Sequence, residues 1–279
     1  MENGGPSRTA LATARARAYH QVADRQLILT DPLAERILDT GIEEDTELSG
    51  TTTRPRRLFF AARSRFAEDR VAVAAAAGVR QVVILGAGLD TFAYRNPFPD
   101  LRVFEVDHPA TQAWKRERLD AAGIDRPETV TFVPVDFETQ YLARELAAAG
   151  FVRTDPVVFV WLGVVFYLTP EAASTTLEYI AAQAAPVDVV FDYLQPADND
   201  ADRARLRERS ARLAATVGEP FFSYFTPADI ADRLRALGFT EIEDHAGTDL
   251  VAGYLDDPGE FAGDPPQPLR AIRILRASR

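Results

Sequence analysis

With 279 residues, 47% of them hydrophobic and 26% charged, the chain can bury a large core, as one domain with an elaboration or as two small ones. A formal charge of −11 at pH 7, with basic residues scattered among acids, argues against a grip on nucleic-acid backbones or anionic lipid. Cysteine is absent, which excludes disulfides, thiolate zinc sites and a Cys nucleophile.

The N-terminus, "MENGGPSRTALATARARAYH", has no apolar core of signal-peptide length, and no run approaches the roughly 20 residues needed to cross a bilayer. A cytoplasmic protein is therefore expected. Residues 1–78 read as a helical cap, with amphipathic stretches at "RTALATARARAYH" and "FFAARSRFAEDRVAVAAAAG" and, between them, "DPLAERIL" and an acidic, Thr-rich loop.

From residue 79 to 279 short apolar runs alternate with helical stretches, the rhythm of an α/β sheet. The runs at 81–85, 101–107, 130–136, 157–162 and 187–194 are rich in Val, Ile and Phe, as strands covered on both faces should be. Among the crossovers, "PATQAWKRERLDAAG" opens on Pro109 and stops at Gly123. A later one has Thr169 as N-cap, Pro170 at its first position and an end before Pro186. Residues 195–222 are too polar for a sheet strand and read as an inserted helical flap. A helix capped by Thr226 and stopped by Gly238 follows, and the stretches "TEIEDHA" and "AIRILRA" complete seven strands.

Gly86 and Gly88 stand at the carboxyl end of the first strand, where a parallel sheet opens its ligand crevice. Thr91 occupies the place of the third glycine of a dinucleotide fingerprint, which disfavours the alternative of a nicotinamide-dependent oxidoreductase. Asp107 lies 21 residues beyond Gly86, the spacing at which a carboxylate accepts hydrogen bonds from ribose hydroxyls. Glu105 is a second candidate, although strand alternation points it the other way; an N-cap before Pro109 is the structural alternative for Asp107. Asp136 closes a third strand on the same rim, where it could take an adenine amino group beside Phe137. Three such strand ends suit an adenosine without phosphates, and no Gly-Lys-Ser/Thr phosphate cradle is present.

The stretches "RQVVILGAGLDTFAYR", "VFEVDHPATQAWKRERL", "VTFVPVDFET" and "VVFVWLGVVFYLTPE" resemble the successive motifs of the leucine carboxyl methyltransferase-like family of class I S-adenosylmethionine-dependent methyltransferases, in its bacterial branch. The resemblance continues through "DPLAERIL", "RSRFAEDR", "FDYLQP" and "GEPFFSYFTPADIADRLRALGF", nearly the whole chain. It implies a seven-stranded, mostly parallel Rossmann-like sheet with a helical cap and a flap closing the acceptor pocket. The cofactor it implies is S-adenosylmethionine. By the same resemblance Gly86, Ala87 and Gly88 lie against the methionine portion, Asp107 binds ribose, and Asp136 and Phe137 receive adenine. Arg63 pairs with the methionine carboxylate, with Arg65 in reserve.

Many relatives have Glu-Gly-Val where this chain has Leu162-Gly163-Val164. Either backbone carbonyls around Gly86 and Trp161, or another side chain such as Asp90, stand in for the missing carboxylate, or this subgroup simply keeps an apolar strand end there. That departure also keeps open a cofactor-binding protein without methyl transfer. The expected activity is O-methylation of a small-molecule acceptor, a carboxyl group favoured, because a carboxylate needs no base and the chain offers only three His residues. His20, Tyr19 and Tyr167 are the candidate catalytic residues, and His108 belongs near the cofactor's edge. Aromatic residues in "FFSYF" and "WLGVVFYL" suggest an apolar acceptor pocket. Neither a nucleic-acid nor a membrane partner is expected, and the sequence leaves the oligomeric state open.

Overall fold

The computed structural model describes residues 7–25, 27–38, 53–136, 139–184, 186–261, 266 and 269–279. Seven strands form one sheet: β1 (Gln81–Leu85), β2 (Arg102–Asp107), β3 (Val130–Pro134), β4 (Val157–Trp161), β5 (Val187–Leu194), β6 (Glu241–Ala246) and β7 (Ile272–Ser278). Their order is β3-β2-β1-β4-β5-β7-β6. The first five run parallel, and β7 inserts antiparallel between β5 and β6. Strand order reverses at β1, whose neighbours are β2 and β4. Crossovers leave in opposite directions there, and a crevice opens at the carboxyl ends.

Strand alternation divides the apolar side chains between two cores. Val82, Ile84 and Val160 face one layer, against Leu58, Phe66 and Val71 of α2 (Arg54–Ala76) and Val251 of α9 (Gly247–Gly253). Val83, Leu85 and Phe159 face the other, against Leu177 and Ile180 of α6 (Pro170–Ala181) and Leu234 of α8 (Pro227–Ala236). The chain starts α6 and α8 with hydroxyl caps: Thr169 accepts the Ala172 N–H and Thr226 the Asp229 N–H, each followed by proline.

Helix α2 supplies one of the sheet's own covering layers, and α1 (Arg8–Ala23), packed on α2, reaches over the strand ends. The flap is a single helix, α7 (Asp200–Val217). Leu213 anchors it in a small cluster with Ala12, Phe166, Leu194 and Phe221. No described helix is long and apolar enough to cross a membrane.

Glu105 follows the alternation argument and turns away from the crevice rim. It is wholly buried and ion-paired at 2.8 Å to Lys115 of α4 (Pro109–Ala121), the chain's one lysine, itself 1% exposed. The Tyr94 hydroxyl donates to the same carboxylate at 3.1 Å, and the ammonium lies 5.3 Å from that ring's centre. Burial pushes the Glu105 carboxyl upward, and the Lys115 charge opposes it. Removing one partner of such a pair strands a charge in the interior. Lys115→Met should therefore lose about 3–5 kcal/mol in denaturant unfolding, and Lys115→Met with Glu105→Gln should regain most of it. A single variant as stable as the parent protein would show that the pair contributes nothing.

Candidate active site

The turn after β1 sets the geometry. Gly86 and Gly88 adopt φ of +69° and +46°, left-handed backbone that side chains resist. The N–H groups of Gly86 and Ala87 both donate to the Val106 carbonyl, at 2.8 and 3.1 Å, and the Gly88 N–H donates to Asp107 Oδ2 at 2.6 Å. Space is as restrictive as conformation: a Cβ on Gly86 would fall on Val164 Cγ2, and one on Gly88 would stand 3.0 Å from Ala10 Cβ of α1.

Asp107 sits at the end of β2 and faces the crevice. Its other oxygen accepts the His108 N–H at 2.7 Å. Burial pushes its carboxyl upward, and the N–H groups of Gly88 and His108 pull it back. Each oxygen keeps lone-pair capacity beyond its one backbone donor. Asp136, after β3, stands on the same wall with Oδ2 accepting the Thr139 hydroxyl at 2.9 Å. Phe137 lies outside the described residues.

The end of β4 supplies the opposite side. Trp161, 2% exposed, packs against Phe191 and lines the crevice, with Leu162 and Gly163 next to it. Gly163 has φ +73° and lies under the Arg63 guanidinium; a Cβ there would meet Nη1 at 3.1 Å. Asp192 of β5, wholly buried, joins the two. It accepts the Gly163 N–H on Oδ1 and Arg63 Nη1 on Oδ2, both at 2.5 Å. This leaves Arg63 on the wall with Nη2 making no hydrogen bond among the described residues. Arg65 is exposed and paired with Asp69 at 2.7 Å, off that wall. Asp90 lines the crevice with one oxygen taken by the Phe92 N–H at 2.8 Å.

Helix α1 closes the top. Arg17 donates to the Leu89 carbonyl at 2.6 Å, and Asp31 accepts the Thr91 hydroxyl at 2.6 Å. Arg95 Nε reaches the same Asp31 at 3.3 Å. Thr91, where a dinucleotide site has glycine, is thus a buried tether for the N-terminal segment. No local sequence pattern marks Arg17, Asp31 or Asp192, because each acts on a partner distant in the chain.

Two of the three catalytic candidates lie off the crevice wall. His20 is fully buried. Its Nε2 faces the N–H groups of Ile28 and Leu29 at 3.4 Å each, and its Nδ1 lies 3.2 Å from Asp24. An Nε2 that accepts places the proton on Nδ1, so the ring staples α1 to the segment that follows it. Tyr19 lies beneath the Arg57 guanidinium, 4.6 Å from its ring centre. Tyr167 does line the crevice: its hydroxyl bonds to that of Thr9, and burial pushes it up to about 12. A second histidine, His108, is on the wall too, but its Nδ1 accepts the Ala110 N–H at 3.2 Å as the N-cap of α4.

Together these walls enclose a cavity of about 1370 Å³ that continues from the rim to the flap. Its outer end carries Arg56 and Phe60 of α2 and Arg205, Arg209 and Arg212 of α7. Glu219, just past the flap, is engaged by the hydroxyls of Ser7 at 3.2 Å and Thr9 at 2.5 Å. No group of three or more His, Asp or Glu side chains that could hold a metal ion occurs among the described residues. The rim fits an adenosyl group with an amino-acid tail. Glycines that admit no Cβ permit close approach, Asp107 has lone pairs for hydroxyls, and Arg63 keeps donors for a carboxylate.

The family model "Leucine carboxyl methyltransferase" matches residues 10–181. YktD of Bacillus subtilis (strain 168), named as a candidate S-adenosyl-L-methionine-dependent methyltransferase, is 32% identical, with 90% of this chain and 91% of that protein covered. A relative of like name from Mycolicibacterium gilvum (strain PYR-GCK) is 33% identical over 90% of this chain and 86% of its own. Among solved structures, a candidate methyltransferase from Thermobifida fusca matches with a TM-score of 0.63 at 15% identity, covering 100% of this chain and 96% of that one. The magnesium protoporphyrin IX methyltransferase of Synechocystis PCC 6803, solved with S-adenosylhomocysteine, matches at 0.50 and 14% identity, covering 96% and 99%. The last two likenesses concern the fold. This chain belongs to the leucine carboxyl methyltransferase family and is a methyltransferase that depends on S-adenosylmethionine.

Proposed function

We propose that the protein is an O-methyltransferase whose acceptor is the carboxylate of a small molecule. One observation carries this reading: the histidine and the buried phenol on the described cavity wall near the rim, the groups suited to activating an alcohol, are already committed. His108 uses Nδ1 as an acceptor, so its neutral form holds the proton on Nε2 and offers a donor there. Tyr167, pushed up to about 12, is a neutral phenol at pH 7. Glu219 is taken by two hydroxyls, and Asp107, with one backbone N–H on each oxygen, keeps its remaining lone pairs for the ribose. An alcohol or phenol acceptor profits from a base, whereas a carboxylate is ionised well below pH 7 and needs none.

When bound, S-adenosylmethionine supplies an electrophilic methyl group on a sulfonium. The chain's part is then to hold and align. Asp107 fixes the nucleoside end, the Gly86–Gly88 turn, Arg63 and the backbone at Trp161 and Gly163 fix the amino-acid end, and α1 with α7 exclude water. Alignment of two reactants in one cavity is the principal source of rate in such a displacement.

Protein incubated with methyl-labelled S-adenosylmethionine and a panel of acids and alcohols should place label in a product that mild alkali releases, as a methyl ester does. Alkali-stable label, the mark of an ether, would overturn the carboxyl assignment. The rate of transfer to a carboxylic acid should be flat between about pH 6 and 9, because the acceptor is ionised throughout and no base titrates. A rising limb near neutrality would reveal a base in the reaction. Asp107→Asn should raise the dissociation constant for S-adenosylhomocysteine at least about tenfold by calorimetry, the scale of a lost charged hydrogen bond. Unchanged affinity would remove Asp107 from the cofactor site.

A further inference from the structure

The outer end of the cavity holds more positive charge than the cofactor requires. On α2, Arg56, Phe60 and Arg63 share one helical face, and the seven residues from Arg63 to Arg56 are two turns, roughly 10 Å along the axis. On α7, Arg205, Arg209 and Arg212 recur at the same spacing and face the same space. Arg205 is paired with Asp202 at 3.0 Å. The other three, Arg56, Arg209 and Arg212, have no carboxylate partner among the described residues. Of the acids on the same outer wall, Asp198 is exposed to solvent. Glu219 is held by Ser7 and Thr9, Asp202 is shared by Arg205 and Arg270, and Glu208 is exposed on the flap.

Among the described residues, like charges converge here with no carboxylate paired to them. Burial, then the charges of Arg209 and Arg212, lower Arg56 to about 9. Arg209 is lowered by burial and by Arg212, and its guanidinium lies over the Phe221 ring, 5.2 Å from the centre. A fixed concentration of guanidinium groups beside aromatic walls is the chemistry that receives an oxyanion on an apolar body.

We propose that Arg56, Arg209 and Arg212 form an anion subsite holding a second acid group of the acceptor, a carboxylate or phosphate that is not itself methylated. The acceptor is then a double-ended acid with an apolar body, its reactive end near Arg63 and its anchored end about 10 Å away along α2. This rests on the carboxyl-methylation reading for the identity of the reactive end only.

The test is calorimetric binding to protein saturated with S-adenosylhomocysteine, using decanoate, decanedioate and 10-phosphonodecanoate as matched probes. At least one double-ended acid should bind about tenfold or more tightly than decanoate, with the better one identifying the group, and the preference should shrink in high salt. Arg56→Gln and Arg209→Gln should each reduce the preference severalfold and together abolish it, with S-adenosylhomocysteine affinity retained as the measure of an intact fold. If either variant loses that affinity, Arg212→Gln, at a solvent-exposed position of the same face of α7, must reduce the preference by itself. Equal binding of all three probes, binding of none, or a preference that survives these substitutions overturns the subsite. Alkali-stable label in the transfer assay would defeat the carboxyl reading and leave this result untouched.

Discussion

The contact between the Asp107 carboxylate and the Gly88 N–H, at 2.6 Å, ties two neighbouring strand ends into one rim. Without it the glycine turn would be a flexible connection whose left-handed residues cost entropy on folding. With it, the direction of the turn is fixed relative to β2, and the carboxylate itself is fixed by a donor on each oxygen. Asp192 repeats this arrangement at the ends of β4 and β5, where it orients Gly163 and Arg63. Two acids thus pre-organise the two ends of one crevice before any ligand arrives, which is the condition for tight and directional binding.

What the sequence disclosed and what it concealed divide along a physical line. Strands β1, β4 and β5 are dominated by apolar residues because both faces are covered, and that richness marks them in the sequence to within a residue. Thr169 and Thr226 announced their helices through the local chemistry of caps. Helices α3 (Phe92–Arg95), α5 (Leu142–Ala148) and α9 were missed; each is seven residues or fewer and lacks a side-chain cap bond, so only tertiary packing marks them. Helix α2 was expected in a separate cap because its alanines give no sign of which surface they cover.

The site shows the same division. Gly86, Gly88, Asp107 and Asp136 are strand-end residues, and position in a parallel sheet is enough to bring them to one rim. His20 was attractive as a base only while its surroundings were unknown; the N–H groups of Ile28 and Leu29 occupy the nitrogen that would have been needed. Thr91 gave half of its meaning away. Its bulk argued correctly against a pyrophosphate turn, yet its hydroxyl's partner, Asp31, lies sixty residues upstream, beyond the range of any local pattern.

The burial of Lys115 reaches past the site. The chain has a single lysine, and it is sealed against Glu105 in the interior at 1% exposure. Reagents directed at primary amines would therefore find, on the folded molecule, no side chain to modify and only the backbone's own amino terminus. Opening of the core exposes that ammonium, so its acylation becomes a one-residue clock for global unfolding, free of any surface background from other lysines.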